Sequence, residues 1–190
     1  SSFFCSPFEE AAVLVTDAFG EKHSVTLYEG RGNRLKTIWS QEFPHSLGSF
    51  YSVLTEYLGF VPSSEEWKLM GASSYGDPEK YYEQLRTTIQ LKDDGGFELD
   101  LTHFNHYQFY RPMMFTPKLS QLLGIMPRKE GEPLTQNHYD LAAAAQRVFE
   151  DTYFHLLSHL HKKTGMNKVI ISGGSALNCV ANGRVLEQTP

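Results

Sequence analysis

The chain has 190 residues, of which 41% are apolar and 13% aromatic. That is enough for a packed core and too aromatic for a disordered or low-complexity segment. Its 17 basic and 22 acidic residues leave a formal charge of −5 with no basic run, which argues against a nucleic-acid partner held by phosphate contacts. Cys5 and Cys179 form neither a disulfide framework nor a Cys-x-x-Cys site, which fits a reducing cytoplasm. No apolar run reaches membrane-spanning length, and Ser1 to Pro7 lacks the charged start and apolar block of a signal peptide.

Ala11 to Thr16 is a continuous apolar run and predicts a strand buried on both faces, ending in the polar turn Asp17-Ala18-Phe19-Gly20-Glu21. Ser24 to Tyr28 alternates as a second strand. Glu29 to Asn33 is a hairpin turn, and Leu35 to Trp39 a third strand, so an antiparallel meander is expected. Ser46 is the expected N-cap of a helix whose buried face is Leu47, Phe50, Tyr51, Leu54, Tyr57 and Leu58, stopped by Gly59. Two more helices are predicted over Ser64 to Met70 and Lys80 to Ile89. A short strand at Phe97 to Leu99 follows the turn Asp93-Asp94-Gly95-Gly96. Leu101 to Pro133 is aromatic and Pro-rich, with a short helix around Lys118 to Leu123. It reads as an insertion, about 80–136, on a single domain covering 1–190. A long helix over Asn137 to Thr164 turns Leu141, Ala144, Ala145, Val148, Thr152 and Leu156 to the core and ends at Gly165.

The stretch from Lys168 to Gly183 carries the strongest functional signal. A β-branched strand, Val169 to Ile171, predicted to be buried on both faces, runs into Ser172-Gly173-Gly174-Ser175. An amphipathic helix is expected to follow, with Ser175 as N-cap and Leu177, Val180, Ala181 and Val185 as its apolar stripe. A helix start offers unpaired N–H groups and a partial positive charge, and two glycines clear side chains from an approaching anion. The unit suits a nucleotide, with Asn178 and Asn182 offering amides to a ribose or base; tight packing alone is the competing reading.

Three antiparallel strands, a helical block, a long helix, a strand and a helix make up most of a ribonuclease-H-like, actin-like ATPase half-domain. The fold class expected is α/β with a mixed sheet and a helical insertion. Both ends read as cut, with one further strand and helix needed to complete the half. In such folds the turn at Asp17 and the turn at Gly173 face one cleft.

Several segments then occur in a telling order: Ser6-Pro7-Phe8-Glu9-Glu10-Ala11-Ala12-Val13-Leu14, Thr16-Asp17-Ala18-Phe19-Gly20-Glu21, Pro44-His45-Ser46-Leu47-Gly48-Ser49-Phe50-Tyr51-Ser52, Tyr57-Leu58-Gly59-Phe60, Glu66-Trp67-Lys68-Leu69-Met70-Gly71, Ser74-Tyr75-Gly76-Asp77-Pro78 and Ser172 through Gly183. Together they closely resemble the O-carbamoyltransferase family of nodulation and antibiotic biosynthesis, along nearly the whole chain and most weakly between Lys80 and Gln136. The resemblance implies a transferase that uses ATP and carbamoyl phosphate to make carbamoyl-adenylate in a separate adenylate-forming domain. The carbamoyl group then passes to a hydroxyl of a small sugar-like or antibiotic acceptor. It also implies a divalent metal, iron or similar, whose His-rich motif lies outside this chain, so the fragment alone is expected to be inactive; a homo-oligomer is compatible.

Carried over residue by residue, the resemblance makes Asp17 a metal ligand and catalytic carboxylate and Lys68 a catalytic cation for phosphate charge. Gly20, Glu66, Gly173, Gly174 and Asn178 become nucleotide-binding residues. The chain departs from the family pattern at Glu65 and at Ala72-Ser73. His155, His159 and His161, and the pair His103 and His106, have zinc-like spacing but lack completing ligands, so packed or solvated imidazoles are expected. Cys179 is expected to be a packing residue. Two other functions share these features: a threonylcarbamoyl-transfer enzyme acting on tRNA, and a non-catalytic actin-like interaction domain.

Overall fold

The computed structural model describes residues 1–190. In chain order the elements are β1 (Glu10–Thr16), β2 (His23–Arg31), β3 (Arg34–Glu42), α1 (Leu47–Tyr57), α2 (Glu66–Ser73), α3 (Tyr82–Arg86), β4 (Ile89–Leu91), β5 (Phe97–Leu99), α4 (Pro117–Leu123), α5 (Gln136–Thr164), β6 (Val169–Ser172) and α6 (Cys179–Gln188). The fold is α/β with a mixed sheet. The chain divides into two compact units, one of Ser1–Gly48, Leu91–Phe97 and Thr152–Pro190, the other of Ser49–Gln90 and Glu98–Asp151.

The first unit holds a four-stranded sheet in the order β3-β2-β1-β6. The expected meander forms: β1 pairs antiparallel with β2, and β2 with β3. β6 pairs parallel with β1, Val13 opposite Ile170 and Val15 opposite Ser172. Side chains alternate across a strand, so Ala11 and Val13 share a face, where they pack with Phe3, Phe8, Tyr28, Leu35 and Ile170. Ala12 and Leu14 on the opposite face are buried too, so β1 is the doubly covered strand its apolar run predicts. β6 departs from expectation. All four of its residues are only half-buried, because it is the edge strand and flanked on one side only.

The second unit is helical. Its core includes Phe50, Leu54, Tyr57, Leu69, Leu85, Leu119, Leu141, Ala145, Val148 and Phe149, all buried. Aromatic edges fix its packing: Tyr51 on Phe149 at 5.1 Å and Tyr57 on Phe115 at 4.8 Å between ring centres. The end of α1 is closed by the Arg128 guanidinium, whose Nε donates to Leu58 O at 2.5 Å and Nη2 to Gly59 O at 3.1 Å.

The helix predicted over Lys80 to Ile89 is broken. Pro78–Lys80 is a single 3-10 turn, α3 lasts five residues, and Ile89 is already in β4. The cause is local. Thr87 and Thr88 turn their hydroxyls back onto the carbonyls of Gln84 and Leu85, each at 2.7 Å, which competes with helix propagation, and Ile89 is taken up by pairing with β5.

Candidate functional site

Parallel pairing of β1 with β6 puts the C-terminal ends of both strands at one edge of the sheet, where open α/β sheets bind ligands. Asp17 follows β1 and Gly173-Gly174 follow β6, so the register itself brings the two loops together. A Cβ built on Gly174 would lie 2.9 Å from Asp17 Oδ1. A side chain on Gly173 would collide with the Thr16 carbonyl, and its φ of +98° is a backbone conformation that glycine alone adopts at low cost. The Asp17 carboxylate is itself oriented, since Oδ1 accepts the Ala18 N–H at 2.9 Å.

The start of α1 closes this corner. Ser46, expected as a helix cap, donates its hydroxyl to the Asp17 carbonyl at 3.0 Å. Gly48 sits against both loops: a Cβ there would lie 2.6 Å from Ser175 Oγ and 2.7 Å from Ala18 N. Ser175 Oγ is buried without a hydrogen-bond partner in that contact. Nothing local in the sequence marks Gly48 for this role, because only the folded chain brings the two loops against it.

The diglycine bend differs from the sequence reading in one respect. Gly174–Leu177 forms a 3-10 turn, and α6 starts only at Cys179. The N-cap is therefore Asn178, not Ser175: Asn178 Oδ1 accepts Ala181 N at 3.0 Å. Leu177 precedes the helix and is exposed, so the apolar stripe reduces to Ala181 and Val185 with a half-buried Val180. Asn182, expected to offer its amide to a ligand, is engaged on both sides: it accepts from Tyr153 Oη at 3.0 Å and donates to Ala176 O at 2.7 Å. Cys179 is exposed rather than packed, as befits the first turn of a surface helix.

Of the remaining candidates, Gly20 belongs to the first unit and Glu66 and Lys68 to the second. Gly20 is exposed in the β1–β2 turn, where a side chain would strike the His23 carbonyl; tight turning accounts for it. Glu66 and Lys68 belong to the second unit, on α2. Glu66 Oε1 accepts from Ser52 Oγ and from Ser63 N, both at 2.6 Å, and so ties α1, α2 and the loop before α2 together. Lys68 pairs with Glu65, and that hydrogen bond holds the Glu65 carboxyl below its ordinary range. The Lys68 ammonium also lies 5.7 Å from the Phe60 ring centre and 5.6 Å from that of Trp67.

No group of three or more His, Cys, Asp or Glu side chains is placed to hold a metal ion. Asp17 offers one hard oxygen donor, and the rest of a coordination sphere is not present in these residues. Three of the spaced histidines make polar contacts within the protein: His155 Nε2 lies 3.0 Å from Lys92 O, His161 Nδ1 3.0 Å from Met166 O, and His103 Nδ1 3.2 Å from Asp100 Oδ2. No helix is long and apolar enough to cross a membrane.

Comparison with known proteins settles the kinship. The profile of the family described as carbamoyltransferase N-terminus matches residues 1–190. The chain belongs to the carbamoyltransferase N-terminus family. It is similar to an uncharacterized protein of Synechocystis, 42% identical across 99% of this chain and 30% of that protein. It is also similar to nodulation protein NolO of Bradyrhizobium diazoefficiens, 35% identical across 98% of this chain and 31% of that protein. Nodulation protein NolNO of Sinorhizobium fredii is 33% identical across 98% and 25%. The chain thus spans about a third or less of the length of these relatives.

Proposed function

We propose that this chain is the nucleotide- and acceptor-binding part of an ATP-dependent O-carbamoyltransferase with an actin-like fold. The full-length enzyme moves a carbamoyl group from carbamoyl phosphate, by way of carbamoyl-adenylate, to a hydroxyl of a sugar-like or antibiotic acceptor. The observation that carries the reading is the Asp17 carboxylate standing 2.9 Å from where a Cβ of Gly174 would be. The glycines carry no side chain that would shield their backbone N–H groups from a phosphate. Asp17 takes the acceptor proton as its oxygen attacks the carbamoyl carbon and the bond to the adenylate breaks, releasing AMP. Asp17 would also supply one oxygen ligand to a divalent metal bound in the full-length enzyme. Asn178 and Gly20 contribute through the shape of their turns, while Glu66 ties α2 to α1 within the second unit. The adenylate-forming step belongs to another domain of the same polypeptide.

The test is carbamoyl transfer by the full-length enzyme carrying Asp17→Asn. Loss of the general base lowers turnover by about 10²-fold or more, with carbamoyl-adenylate still formed. Transfer at the unmodified rate would remove Asp17 from the chemistry.

A further inference from the structure

The diglycine bend follows β6 with two glycines in a row, the residue type with the greatest backbone freedom, yet a nucleotide site needs it held still. The Cα of Gly173 lies too close to Thr16 for any side chain, which fixes the near end of the bend. Its far end is the 3-10 turn Gly174–Leu177, whose last carbonyls have no partner within the turn. One of them, Ala176 O, is met by Asn182 Nδ2 at 2.7 Å. Asn182 lies one turn into α6, and its Oδ1 accepts the Tyr153 hydroxyl at 3.0 Å from the buried face of α5. The amide orientation is dictated by chemistry: a backbone carbonyl only accepts, so the NH₂ must face Ala176 and the oxygen must face the phenol.

We propose that Tyr153 and Asn182 are positioning residues for the nucleotide site, a two-bond relay that anchors the diglycine bend to α5. The assignment rests on the nucleotide reading of that bend. Tyr153 is buried, and burial drives its phenol pKa strongly upward, so the hydroxyl remains a donor across the working range. Asn182 thereby moves from a ligand contact to the support of one. The relay touches no substrate. It acts by restricting where the Gly173 and Gly174 N–H groups stand relative to Asp17.

The experiment titrates AMP calorimetrically into the full-length enzyme carrying Tyr153→Phe, Asn182→Ala, Asn182→Asp or the double substitution Tyr153→Phe/Asn182→Ala. Losing one neutral hydrogen bond of the relay weakens AMP binding by about 3- to 10-fold. Asn182→Asp is the most damaging, because it turns a carboxylate against the Ala176 carbonyl. The double variant binds within about twofold of Asn182→Ala alone, because both remove the same anchor. KM for carbamoyl phosphate, used in the other domain, stays unchanged in every variant, and so does the calorimetric stoichiometry, which a loss of folded protein would lower. Tyr153→Phe keeps the ring and is the variant least exposed to misfolding. Folded Asn182→Ala and Asn182→Asp that bind AMP with the affinity of the parent overturn the relay while leaving the nucleotide site intact. A parent enzyme that binds no AMP overturns the nucleotide reading itself, and the relay with it.

Discussion

Gly48 has no side chain, and the atoms that would meet one belong to two different loops: Ser175 Oγ at 2.6 Å and Ala18 N at 2.7 Å. Alanine at this position would gain about 0.5–1 kcal/mol of helix propensity. The neighbour on one side is backbone and cannot swing away, so overpacking at about 1–3 kcal/mol wins. Gly48→Ala is therefore expected to lower the melting temperature and, by parting the Asp17 loop from the diglycine bend, to weaken AMP binding. A variant as stable and as tightly binding as the parent would show that the corner tolerates a methyl group. At this scale the site was half legible. Asp17 and the glycines stand out because a strand-end carboxylate and a Gly-Gly bend are local signals. Gly48, Tyr153 and Ala176 do not, since their roles arise from atoms distant in sequence. Asn182 carries a local signal, an amide one turn from Asn178, but its partners are the Tyr153 hydroxyl, distant in sequence, and the Ala176 carbonyl.

Elements with one dominant local signal were legible, and elements decided by pairing were not. β1 announces itself by an unbroken apolar run, and α5 forms within a residue of its predicted start, held by its buried stripe of Leu141, Ala145 and Val148. β4 is three residues long and exists because β5 is there to pair with it, so a helical period masked it. The first turn of α5 is further tied to the loop before α3 by Asp140. Its buried carboxylate accepts Asp77 N at 2.9 Å, Gln136 Nε2 at 2.8 Å and Lys80 Nζ at 3.3 Å. Burial pushes the Asp140 carboxyl up, but these donors outweigh it and hold the pKa below the ordinary aspartate value. A carboxylate with a lowered folded-state pKa stabilises the fold above its unfolded value and stops doing so as pH falls through the folded one. Asp140→Ala should thus cost about 1–3 kcal/mol at neutral pH, mostly from the orphaned Asp77 N–H, since the half-exposed Lys80 contributes little. The penalty should shrink below about pH 4, where the parent loses the same carboxylate. Thermal melts of parent and variant from pH 7 down to pH 3 test this; curves that stay parallel would remove Asp140 from the acid sensitivity.

At the scale of the molecule, the division into two units leaves no linker in the sequence, because α1 and α5 each carry the chain from one unit into the other. The candidate nucleotide corner is built wholly from the first unit: Asp17, Ser46, Gly48, Gly173, Gly174 and the relay through Asn182. A ligand there stabilises the residues that form it, by about 2.7 kcal/mol at a hundredfold excess over Kd. In the full-length enzyme AMP should therefore slow amide exchange at β1 and β6 before it affects α2 or α4. Gly174→Val places a branched side chain 2.9 Å or less from the Asp17 carboxylate and should abolish that protection. Gly183→Ala is the matched control, since a Cβ there meets nothing within 4 Å. It should keep the full AMP response and add about 0.5–1 kcal/mol of helix stability. Protection of β1 and β6 that survives in Gly174→Val would place the ligand away from the diglycine bend, whatever the enzyme's overall affinity.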